Sequence, residues 1–229
     1  MSTKQSKNIL DLTIFTQLYI EVKGLNEVTE NANDPRIVRT MHMLREALLE
    51  LIEEQGFERI TVKDITSKAG LNRGTFYLHF ADKFDLLERI TEEMMQGLRK
   101  IAQTFDPLDL VMHESRDTPF PFTVRLFEYF GEHARFFSVM LGPKGDPSFS
   151  VKFKEFMRVH LMDKFNEFHH SEDRVPVPWD YLMAYLISAH LGIVQYWLEQ
   201  GRDYTPWDMA LMFTRMIQLS PIQSAGLKK

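Results

Sequence analysis

Four side chains that can donate hydrogen bonds, Arg73, Thr75, Tyr77 and His79, recur at alternate positions in LNRGTFYLHF, residues 71–80. Against a duplex they would reach phosphate oxygens or the edges of bases. Phe76 and Phe80 lie four residues apart and share one face of a helix that turns about 100° per residue. They would anchor it. Gly74, Thr75 and Leu78 then point the other way, flanked by Tyr77 and His79. Gly74, near the helix start, lets a partner's backbone approach closely. Arg59, Lys63, Lys68, Arg73 and Lys83 surround the stretch and outnumber Asp64 and Asp82. Such a local excess neutralises phosphates whatever the total charge. A few basic residues on a surface are more often simply solvated, so spacing alone leaves nucleic-acid binding and an ordinary surface both open.

The elements that must hold these residues are short helices. From Arg36, Ile37, Met41, Leu44, Leu48, Leu51 and Ile52 recur at three- and four-residue steps, which predicts a first helix ending at Gly56. Thr61, with Asp64 three residues on, caps a second over 62–69 that stops at Gly70. Asn72 caps a third, with Leu71 and Phe76 spaced as a hydrophobic staple. Asp82 opens a fourth that runs to about Phe105. Two short helices joined by Ala69-Gly70-Leu71-Asn72 are a helix-turn-helix pattern, the glycine permitting the tight turn. Before the first helix, the apolar residues Leu10 to Val22 read either as strand or as helix, followed by the polar linker GLNEVTENANDP.

Composition narrows the class. The chain has 229 residues, enough for a real core, and a net charge of −5, so bulk charge does not advertise nucleic acid. With no cysteine it has neither disulfides nor thiolate metal sites, which fits a cytoplasmic protein. No apolar run reaches the roughly 20 residues of a membrane span, and the N-terminal ILDLTIFTQLYIEV does not read as a signal peptide.

After Asp106 the chain is rich in Phe, Met and His, with helical stripes between prolines. Phe153, Phe156, Met157, His160, Leu161 and Phe165 form one stripe; Leu182, Leu186, Ala189, Ile193 and Trp197 form another. Thr205-Pro206-Trp207-Asp208 starts the last helix with a cap and a first-turn proline. The whole reads as all-α. Aromatic and methionine density over 120–168 reads as core packing for most residues and as an adaptable apolar pocket for some. His133, His160, His169, His170 and His190 form no ligand pair on one helix, and no nucleophile motif is present. Neither a metal, nor a cofactor, nor catalysis is expected.

ITVKDITSKAGLNRGTFYLHFADKFDLL resembles the helix-turn-helix signature of TetR/AcrR-type transcriptional regulators, over about residues 37–100. FTVRLFEYFGEHARFFSVMLGPKGDPSF and HLGIVQYWLEQGRDYTPWDMA resemble the ligand-binding domains of one TetR subgroup. The resemblance implies an N-terminal three-helix DNA-binding domain and a C-terminal helical domain for ligand binding and dimerisation. It divides the chain into an extension of unknown role (1–34), the DNA-binding domain (35–81), the ligand and dimer domain (82–220) and a tail (221–229). Carried over residue by residue, it implies that Thr61 contacts phosphate, that Lys63, Arg73, Gly74, Thr75 and Tyr77 sit in or beside the major groove, and that Tyr77 and His79 touch the backbone. Lys83 would grip a phosphate, and Arg36 and Arg39 would add contacts. The long N-terminal extension departs from the family pattern.

For the C-terminal domain the resemblance implies a pocket, with Phe127, Phe130, Phe137, Met140, Phe156, His160, Tyr185 and His190 as candidate lining. It also implies a homodimer in which the last two helices of each subunit form a four-helix bundle, through Leu182, Leu186, Ile193, Trp197, Met209, Met212 and Met216. The expected partners are double-stranded operator DNA, a small-molecule effector and a second copy of the chain, without a membrane. The expected function is a ligand-responsive repressor released from its operator by that effector. The alternatives are a TetR-like interaction partner or co-activator without an operator, and a small enzyme using the pocket.

Overall fold

A computed structural model describes residues 35–113, 115–166, 177–219 and 224. The extension 1–34, His169, His170 and all of the tail except residue 224 lie outside the described residues. The chain divides into two compact units, residues 1–46 and 47–229, with the division inside the first helix.

That helix, α1 (Pro35–Gln55), carries Leu48, Leu49, Leu51 and Ile52 fully buried in its second half. It ends where Gly56 takes a φ of 80° and donates its N–H back to the Ile52 carbonyl. A single 3-10 turn (Phe57–Arg59) leads to α2 (Val62–Lys68). Thr61 begins α2 with a reciprocal cap: its side chain accepts from the Asp64 N–H, and the Asp64 carboxylate accepts from the Thr61 N–H. Gly70, at φ 67°, makes the left-handed turn that the sequence demands of it. Next comes α3 (Arg73–Tyr77), which packs on α2. Then α4 (Lys83–Ala102) begins where Asp82 accepts from the N–H groups of Phe84 and Asp85.

The remaining helices are α5 (Pro107–Met112), α6 (Pro121–Glu132), α7 (Ala134–Leu141), α8 (Pro147–Asn166), α9 (Trp179–Glu199) and α10 (Pro206–Gln218). Among the described residues there is no strand, so the all-α expectation holds. The predicted caps at Thr61, Asn72 and Thr205 form as expected, and the predicted helix ends move by a few residues. In the second unit α6 packs along α10 and against α4, while α7 and α8 each pack on α9. Their shared core is aromatic. Phe130 and Phe137 meet edge to face at 4.8 Å, and Phe136, Phe149 and Phe153 extend the cluster. Phe127 touches Trp197 and Phe213 on the other side. No helix among the described residues is long and apolar enough to cross a membrane.

Candidate nucleic-acid interface and ligand cavity

The five-residue helix α3 is too short to stand alone, so burial must hold it. Phe76 is 0% exposed and Phe80 5%. At its start the Asn72 side chain accepts from the Thr75 N–H at 2.8 Å and from the Thr75 hydroxyl at 3.2 Å. The opposite side faces outward. Tyr77 is 57% exposed, Leu78 80%, and Arg73 and Gly74 are exposed beside them. A rigid inner anchor thus presents an outer surface of one guanidinium, one phenol and one apolar side chain.

The surrounding cations divide into two groups. Arg59, Lys63 and Arg73 are exposed. Lys68 instead bridges Glu50 at 2.8 Å and Glu54 at 2.5 Å, and these carboxylates raise its pKa, the Glu50 hydrogen bond most. It holds α2 against α1. Lys83 was expected at a phosphate. In the structure its ammonium donates to the carbonyls of Phe57 and Glu58, both at 3.0 Å, and lies over the Phe57 ring at 4.7 Å. It therefore ties the start of α4 to the 3-10 turn. Thr61 is exposed, but its hydroxyl donates to Asp64 at 2.6 Å, and this bond first of all lowers the Asp64 pKa. His79 and Thr75 are half-buried. Arg36 and Arg39 are exposed on α1, in the other compact unit.

A second candidate site lies in the helical body. A cavity of about 380 Å³ opens between α5, α6, α8, α9 and α10. That size falls in the range of small-molecule pockets. Its walls are almost wholly apolar: Phe105, Phe122, Leu126, Phe130, Phe153, Met157, Leu161, Phe165, Leu186 and Phe213 among others. Of the predicted lining, Phe130, Tyr185 and His190 face this space. Phe127, Phe137 and Met140 are packed into the core beside it. Phe156 and His160 stack on each other at 4.2 Å along α8, outside the cavity lining. The stripe Phe153, Met157, Leu161 and Phe165, at four-residue steps, supplies the wall, and Phe156 and His160 sit one position before Met157 and Leu161, about 100° round the helix. The four-residue spacing was visible in the sequence; which edge of the stripe met open space was not.

The predicted interface residues occupy different environments within the chain. Leu182, Leu186 and Met216 line the cavity, Trp197 and Met209 are buried in the chain, and Ile193 and Met212 are half-buried. The face of α9 left outward carries Tyr181, Tyr185, Ser188, Ala189, Gly192 and Tyr196. A broad apolar stripe marks what a helix buries and cannot say whether its own chain or another covers it.

Two contacts join the helical body to α4 and to the end of α1. On α6, which forms one wall, the Tyr129 hydroxyl donates to the Met94 carbonyl of α4 at 3.0 Å. It fits only because residue 97 is glycine: a Cβ there would stand 2.1 Å from the Tyr129 oxygen. In the loop between α7 and α8, Lys144 donates to the carbonyls of Glu53 and Glu54, at 2.9 and 2.8 Å, at the end of α1.

Two family models match the chain. Residues 44–90 match the family described as bacterial regulatory proteins, tetR family, and residues 117–219 match a transcriptional regulator C-terminal region. The HTH-type transcriptional regulator YxbF of Bacillus subtilis (strain 168) is 30% identical over 165 residues, 71% of this chain and 40% of its own. YvdT of the same organism is 33% identical over 72 residues, 31% of this chain and 34% of its own. The chain thus spans less than half the length of these relatives. A TetR transcriptional regulator from Streptococcus agalactiae 2603V has a similar fold, with a TM-score of 0.54 and 21% identity over 82% of this chain and 99% of its own.

Proposed function

Because the chain belongs to the TetR family of transcriptional regulators, we propose that it is a cytoplasmic, non-enzymatic, dimeric repressor that binds operator DNA and is released by a small molecule. The observation that carries this reading is the two-sided recognition helix. Phe76 and Phe80 anchor one side of α3, and Arg73, Tyr77 and Leu78 are left outward on the other. Such a helix fits the major groove. Arg73 would pair with guanine, Leu78 would meet a thymine methyl, and Tyr77 with Lys63 would fix the register on phosphates. Arg36, Arg39, Thr61, Gly74, Thr75 and His79 would lie at the edge of this footprint. Lys83 would act indirectly, by holding α4 to the 3-10 turn.

The domain division follows: a reading head over 35–81 and an effector and dimer domain over 82–220. The outward face of α9, with tyrosines separated by small residues, together with α10 supports pairing of two copies about a two-fold axis. That would set two copies of α3 one DNA turn, or a multiple of it, apart. Effector in the cavity would move α6, and through Tyr129 it would move α4 and the head. Operator and effector then favour different spacings, and each weakens the other by the same factor.

The test is selection of bound fragments from random DNA, followed by gel shifts across a salt series. Wild type should give a sequence-specific shift that weakens as salt rises. Tyr77→Ala should weaken it on all sequences, whereas Arg73→Ala should relax preference at one base pair by about 1–3 kcal/mol. A protein that selects no sequence, with Arg73→Ala indistinguishable from wild type, would end the repressor reading.

A further inference from the structure

The charge pattern of the cavity restricts what can enter it. Among the described residues no lysine or arginine lines it, and the one acidic lining residue, Asp109, is exposed. An anion inside would lose its water and find no cation among the described lining residues in exchange, which is strongly unfavourable. It would also meet the field of Asp109.

The polar groups that face inward are few. The Thr123 hydroxyl already donates to the Phe120 carbonyl at 2.7 Å. Tyr185 is largely exposed. His190 remains. Its ring lies against Phe213, with centroids 4.0 Å apart, and among the described residues neither ring nitrogen has a hydrogen-bond partner. Burial pushes its pKa down to about 4, so near neutral pH it is an uncharged imidazole with one donor and one acceptor. Because His190 lines the cavity, its ring nitrogens can pair with a polar group that a bound molecule brings. The aromatic walls at Phe105, Phe122, Phe130 and Phe153 suit flat rings.

We infer that the cavity takes an uncharged, mainly aromatic molecule bearing one hydrogen-bonding group, that His190 reads that group, and that carboxylates and phosphates are shut out. This rests on the reading of the cavity as the effector site, and its test is independent of DNA.

Titration calorimetry near neutral pH would compare para-phenylphenol, biphenyl and para-biphenylcarboxylate on the full chain. The phenol should bind at least about tenfold more tightly than the carboxylate, a difference of about 1.4 kcal/mol. It should also bind more tightly than biphenyl. His190→Phe should erase the advantage of the phenol over biphenyl, and His190→Gln, which keeps a donor and an acceptor, should retain it. The inference fails if the carboxylate binds as well as the phenol, if none of the three binds, or if His190→Phe leaves the phenol's advantage intact. The wild-type ratio decides the matter even where a variant does not fold. A gel shift with the same three compounds then separates the two readings. Selective binding without release of DNA would sink the effector role and spare the ligand class; release by the carboxylate alone would do the reverse.

Discussion

Between Gly56 and Lys83 each α-helix starts on a polar side chain: Thr61, Asn72 and Asp82 cap α2, α3 and α4 in turn. In the body, Asp106 and Thr205 cap α5 and α10, but α6, α7 and α9 start without a side-chain cap. Those helices are held by apolar burial, much of it aromatic. The difference follows from what each region must do. A helix of five or seven residues has almost no stability of its own, so its direction must be set by local hydrogen bonds and a few buried anchors. Longer helices can rest on apolar packing, which is strong but tolerant of exact fit. The head is filled to the anchor, whereas the body keeps an empty space beside Phe130 and Phe213.

The sharpest way to break this contrast is to cut an anchor. Phe76→Ala should cost about 3–5 kcal/mol, because the ring is fully buried. Denaturant unfolding measures it. The same truncation at Phe153, which already borders open space, should cost less. Equal costs would show that the head is no better filled than the body.

The body's characteristic strain is electrostatic. His190 is buried neutral, with a pKa of about 4 in the fold against about 6.5 in the unfolded chain. Between these values the unfolded state binds the extra proton. Stability is therefore fully present above about pH 6.5, falls as the pH drops toward 4, and is flat below, a loss of about 3 kcal/mol at most. Denaturation of wild type and His190→Phe across that window should show the slope in the first and a smaller one in the second. In the head, Asp64, held below the ordinary carboxylate range first by the Thr61 hydroxyl, loses its contribution only lower on the scale. Parallel slopes for the two proteins would remove His190 as the titrating group.

The junction between the regions is expected to respond next. Gly97→Ala places a methyl on the Tyr129 ring and should cost about 1–3 kcal/mol, the usual penalty of overpacking. Tyr129→Leu should relieve most of that cost, so a double-mutant cycle should show strong coupling. Additive costs would mean that the two helices do not meet there.

How much of this was legible in the sequence differs between the regions for the same physical reason. The head was readable because its signals are local: Thr61 with Asp64, Gly70 at the turn, Asn72 before Phe76. Each is decided within four residues of chain. The contacts of Lys83 and Lys68 were not legible, because their partners, the Phe57 and Glu58 carbonyls and Glu50 and Glu54, lie 14 to 26 residues away. In the body, periodicity gave the helices but not the cavity. Leu182, Leu186 and Met216 lie on the stripes expected at a dimer seam, and tertiary packing alone turns them toward a void. The outward tyrosines of α9 recur at helical spacing, but the small residues between them left no apolar stripe to mark that face.

The mildest change tests whether caps matter more than packing in the head. Asn72→Ala removes the acceptor for the Thr75 N–H and hydroxyl and should cost about 1 kcal/mol of stability. That is small beside Phe76→Ala. Its effect on DNA binding should be out of proportion, because the cap fixes the first turn of α3, and that turn carries Arg73. Thr205→Ala, at the capped start of α10, loses an equivalent bond from Asp208 and should cost about as much in stability. It should leave DNA affinity nearly unchanged. If the two variants weaken DNA binding equally, local caps do not orient the recognition helix, and its direction must be set by Phe76 and Phe80 alone.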